Sequence, residues 1–105
     1  MMADMINVNA HVQNGITQVK LKVRHSMEDG QRTDKKTGKS IAAKFLREIK
    51  VMHEGKPVFA ANLSTAIAEN PFLAFSFSGG VKGEALTINW VENTGKSGSQ
   101  TAAID

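Results

Sequence analysis

Two short clusters, His25-Ser26-Met27 and Met52-His53, hold the residue types in this chain best suited to chemistry. Imidazole and thioether are ligands that copper favours. Each cluster stands at the end of an alternating apolar run, so two strand ends that met would bring two imidazoles and two thioethers together. The same residues serve as turn packing, with His25 and Met27 filling the corner where a strand leaves the core, and this is the preferred reading. A stand-alone metal-binding β-sandwich using His25, Met27, Met52 and His53 is the alternative.

Covalent or acid–base catalysis needs an activated nucleophile, a base within reach and a group that stabilises developing charge. No G-x-S-x-G, H-E-x-x-H or paired-carboxylate pattern supplies them. Lys36-Thr37-Gly38-Lys39-Ser40 ends like a phosphate loop, but it lacks the upstream glycine and follows no strand that leads into a helix. Catalytic, cofactor-binding and metal sets are therefore left unassigned. With no cysteine the chain has no disulfide framework, no thiolate metal site and no thiol nucleophile of its own.

A chain of 105 residues fits one domain able to bury a core without staples. Aromatics make up only 6% of it, so the core must rest on Val, Ile and Leu with five Phe and Trp90. The net charge of +3 is uneven: 11 Lys and Arg stand between Lys20 and Lys56. Such a basic half suits an acidic partner or an anion, or is simply a solvated face. Nucleic-acid binding would need exposed aromatics beside that charge, yet Phe45, Phe59, Phe75, Phe77 and Trp90 fall on alternating apolar faces, so no nucleic acid is expected. The N-terminal MMADMINVNAHV has neither a basic region nor an apolar run of signal-peptide length, and no membrane span follows.

The elements that position these residues follow from a period of two. Ile6, Val8, Ala10 and Val12 alternate with polar neighbours, as do Val19, Leu21 and Val23, and Asn14-Gly15 between them reads as a hairpin turn. Phe45, Ile49 and Val51 form a third apolar face, which leaves Leu46 on the opposite one. A turn at Glu54-Gly55-Lys56-Pro57 leads to a strand from Val58 to Leu63. Ser64 caps a short Thr65 to Glu69 segment that Asn70-Pro71 stops. Strands then follow over Phe72 to Ser78 and through Leu86, Ile88 and Trp90. Six or seven short strands at this spacing predict an all-β, immunoglobulin-like antiparallel β-sandwich over residues 1 to 92. Residues 93 to 105 show no apolar periodicity and read as a flexible tail. The Gly- and Lys-rich loop over residues 26 to 40 is longer than a connection requires.

Four phrases stand in order along the chain: His25-Ser26-Met27-Glu28-Asp29-Gly30-Gln31-Arg32, Glu54-Gly55-Lys56 with Val58-Phe59, Ala66-Ile67-Ala68-Glu69-Asn70-Pro71-Phe72, and Leu86-Thr87-Ile88-Asn89-Trp90. Together they resemble one family, SoxZ, the small subunit of the bacterial sulfur-oxidation carrier complex. They span roughly residues 16 to 92. Ser26 departs from the usual proline, Ile41-Ala42-Ala43 stands where I-P-R is common, and Glu92-Asn93-Thr94 replaces an acidic run.

The resemblance implies a subunit that does no chemistry alone and forms a heterodimer with SoxY, whose mobile arm carries a cysteine that holds sulfur intermediates of thiosulfate oxidation. It also implies docking of Sox enzymes through the complex, and a periplasmic address reached by export with the partner. His25, Met27, Leu46 and Phe72 are the candidate partner-binding residues. Apolar surface left uncovered on a lone sandwich would favour self-association of the isolated chain.

Overall fold

The period-two alternation becomes seven antiparallel strands in the computed structural model, which describes residues 6–64, 67 and 69–105. They are β1 (Ile6–Gln13), β2 (Ile16–Val23), β3 (Leu46–His53), β4 (Lys56–Asn62), β5 (Phe72–Ser78), β6 (Ala85–Glu92) and β7 (Ser97–Ala103). Two sheets result, one ordered β1-β2-β5 and one ordered β4-β3-β6-β7. Three strands therefore face four. This is an immunoglobulin-like sandwich, and no helix occurs among the described residues.

Two tight hairpins set the register. Gln13 pairs with Ile16 and His53 with Lys56, leaving two-residue loops Asn14-Gly15 and Glu54-Gly55. All four loop residues have positive φ, between 50° and 77°, the backbone of a turn whose twist matches that of its strands. Asn14 accepts this conformation readily; Glu54 adopts it at some steric cost.

The core lies where Val19, Leu21 and Val23 of β2 meet Ile49 and Val51 of β3 and Leu86 and Ile88 of β6. Trp90 shares the Leu86 and Ile88 face but is only half-buried, lying over Gly98 of β7. A Cβ at Gly98 would stand 2.4 Å from the ring, so the bare backbone is what admits the indole.

Two expectations need correction. Leu46 is fully buried, not on an outer face, because the β3–β6 register shifts between Leu46 and Glu48 and the extra residue inverts the alternation. Residues 93 to 105 are no free tail: Ser97–Ala103 pairs along the whole of β6, and Ile104 is buried. This strand shows little apolar period because its inner positions are Gly98 under Trp90, Gln100 bonded to the Ile6 backbone, and small Ala102, while the β6 ladder pairs its backbone.

Residues 26 to 45 form a narrow excursion held by the bridges Glu28–Lys44 and Thr33–Ser40. The sequence that ends like a phosphate loop sits in this excursion, at a turn that leads into no helix. The capped segment expected from Thr65 to Glu69 falls largely outside the described residues.

Candidate functional site

Each candidate residue is positioned by the strand it ends or begins. His25 follows β2, and its backbone is clamped by Asn70: the Asn70 N–H donates to the His25 carbonyl at 2.8 Å, and the His25 N–H donates to Asn70 Oδ1 at 3.1 Å. Its ring is buried. Nδ1 accepts the Met27 N–H at 2.9 Å, so the ring proton lies on Nε2 and is donated to Glu92 Oε2 at 2.7 Å. Thr94 donates its hydroxyl to the other Glu92 oxygen.

Burial alone would push the Glu92 carboxyl upward, but the hydrogen bonds from Thr94 and His25 and the nearby Lys44 charge outweigh it and hold it below its ordinary range. Met27 turns inward at φ 51°, and its sulfur accepts the Leu46 N–H at 3.4 Å. Asn93 completes the knot, with Oδ1 accepting the Phe45 N–H and Nδ2 donating to the Ala43 carbonyl.

His25 and Met27 are thus brought together in a packed corner, with both residues buried within the chain. Leu46 lies beneath them in the core. Phe72 is the one candidate that faces solvent, 55% exposed on the outer face of the three-stranded sheet beside Lys22.

The four residues of the metal alternative do not converge. His25 pairs with Glu92 and His53 with Glu84, at opposite ends of β6 and roughly 25 Å apart at about 3.3 Å per residue. At the second end His53 Nε2 lies 3.0 Å from Glu84 Oε1, and Glu54 joins them, all three ligand atoms within 4.8 Å of one another. The hydrogen bond between the two carboxyls raises Glu54 and lowers Glu84, which His53 lowers further. Spacing along the chain does not reveal that Glu84 and Glu92 are the histidine partners, since strand pairing alone brings each of them within reach.

The geometry also exposes a side of the sandwich that motif reading missed. In β2 every inward residue is buried, whereas in neighbouring β5 Leu73, Phe75 and Phe77 are only half-buried. Phe75 stacks on Phe59 of β4 at 4.3 Å between ring centroids, and Phe77 meets the His53 ring at 5.2 Å. Beyond these rings, among the described residues, no strand lies next to β5 opposite β4.

Fold and site together define an immunoglobulin-like sandwich with a buried His–Glu corner and one open side. The sequence model described as "Sulphur oxidation protein SoxZ" matches residues 5–103, and the chain belongs to the SoxZ family. That places it among the proteins of sulfur oxidation. No curated protein sequence matches it.

Among solved structures it is similar to a superoxide reductase (neelaredoxin) from Ignicoccus hospitalis, with 17% identity and a TM-score of 0.66, over 97% of this chain and 80% of that one. It is also similar to the hypothetical protein PH1083 from Pyrococcus horikoshii OT3, with 12% identity and a TM-score of 0.65, over 97% of this chain and 88% of that one. At these identities the likeness is one of fold alone.

Proposed function

We propose that this chain is the non-catalytic half of a heterodimeric sulfur carrier, holding and presenting a SoxY subunit whose cysteine bears the sulfur intermediates of thiosulfate oxidation. The SoxZ match over nearly the whole chain carries this reading. A sequence without cysteine accords with it, because the thiolate that attacks or carries sulfur must then come from the partner. This chain is exported together with its partner, the complex works in the periplasm, and the Sox enzymes reach the thiol through it.

Sedimentation of an equimolar mixture with SoxY, at tens of micromolar, tests the assignment. A 1:1 complex is expected, with no thiosulfate turnover by this chain alone. An 11 kDa monomer beside an unbound partner would overturn it.

A further inference from the structure

The edges of the two sheets are not equally protected. β4 presents Lys56 and Pro57 at its start, the kind of charge and missing donor that guard an exposed strand edge. β1 and β7 are joined to one another: Gln100 Nε2 donates to the Ile6 carbonyl at 2.6 Å, and the Ile6 N–H donates to Gln100 Oε1 at 3.3 Å. Beyond Gln100, the Asp105 N–H donates to the Ala10 carbonyl at 2.8 Å, and the Val12 N–H to the Asp105 carbonyl at 3.1 Å. β5 reads FLAFSFS, with no charge and no proline, and it pairs only with β2 among the described residues.

Its hydrogen-bonding parity is fixed at both ends. The Val23 N–H donates to the Pro71 carbonyl at 2.9 Å, and the Gly79 N–H to the Gly15 carbonyl at 2.7 Å. In an antiparallel ladder directly opposed residues exchange bonds at every second position. Leu73, Phe75 and Phe77 therefore turn their backbone groups toward β2. The N–H and C=O groups of Phe72, Ala74, Ser76 and Ser78 point to the open side. There the three-stranded sheet stops one strand short of β4, leaving Phe59, Phe75 and Phe77 half-covered.

From this geometry we infer that the free edge of β5 is a strand-addition site, where an extended segment of the SoxY partner pairs with β5 and completes the sandwich as four strands against four. This rests on the partner reading above. The occupant's chemistry follows from its two faces. Side chains turned inward would lie beside Leu73, Phe75 and Phe77 and over Phe59, and must be apolar. Those turned outward would share a sheet face whose only charges are Lys20 and Lys22, and acidic residues suit it. A second copy of this chain fits worse, because pairing β5 with β5 would put two such lysine-bearing faces on one continuous sheet. Strand addition supplies affinity through main-chain bonds and selectivity through alternate side chains.

Residue-resolved amide hydrogen exchange tests this on the full chain, alone and with SoxY. In the isolated chain the amides of Phe72, Ala74, Ser76 and Ser78 should exchange fast and those of Leu73, Phe75 and Phe77 slowly. In the complex the first group should become protected. Ser76→Pro should leave the β2 ladder whole, since that N–H faces outward, and should weaken the complex by about tenfold or more, the equivalent of one or two lost hydrogen bonds.

A 1:1 complex with protection elsewhere overturns the edge assignment and leaves the partner reading standing. Absence of any complex overturns the partner reading and removes the occupant. The same four amides protected by self-association, without SoxY, would make the occupant a second copy and overturn the inference. The exchange pattern of the unmodified chain decides among these even if the proline variant fails to fold.

Discussion

Along the β1–β7 side the two sheets are laced by backbone and amide hydrogen bonds and capped by buried Ile104, whereas along the β4–β5 side the described contacts include the half-exposed rings of Phe59, Phe75 and Phe77. Both sides belong to one sandwich and share one core. The difference teaches where stability and recognition reside: a side finished internally contributes to folding, and a side left one strand short retains apolar surface and unpaired main-chain groups for another chain.

The largest expected effect is on the closed side. Ile104→Ala removes a fully buried side chain next to the Asp105 bonds and should destabilise the chain by about 2–4 kcal/mol in urea unfolding. A cost near that of a surface change would mean that β7 is peripheral. On the open side Phe59→Ala removes a ring that solvent already reaches, and should cost only about 1–2 kcal/mol, less than a fully buried phenylalanine. Equal costs on the two sides would break the comparison.

These same two sides differ in how far they can be read from sequence. Asn14-Gly15 and Glu54-Gly55 announce their hairpins, and the alternation from Phe72 to Ser78 announces β5, because turn chemistry and period are local. The Leu46 face is misread because a single extra residue at a bulge reverses parity without altering composition. β7 escapes notice because its inner positions are Gly98, which lies under Trp90, polar Gln100 and small Ala102. The half-exposure of Phe75 and Phe77 depends on how many strands stand opposite, a property of topology that no local pattern carries. The His25–Glu92 and His53–Glu84 pairs are hidden for the same reason, each joining residues far apart in the chain.

Acid should act at the buried corner, away from either side. With its folded-state value depressed, Glu92 contributes stability that is fully present above its ordinary 4.5 and is lost as pH falls through the lower folded value. Glu92→Gln should flatten the fall in unfolding midpoint below about pH 4.5, and an unchanged acid limb would place the loss in other carboxyls. The smallest expected effect is that of Phe72→Ser: exposed beside Lys22, it should alter stability by no more than about 0.5 kcal/mol while weakening the SoxY complex.

Because the chain has no cysteine, single thiols can be placed on either side without background. Spin labels attached through Ser76→Cys on the open side and Ser99→Cys on the closed side, coupled before mixing, give the most direct measurement. Addition of SoxY should immobilise the label at position 76 and leave that at 99 unchanged. Immobilisation at 99 with free motion at 76 would contradict the account.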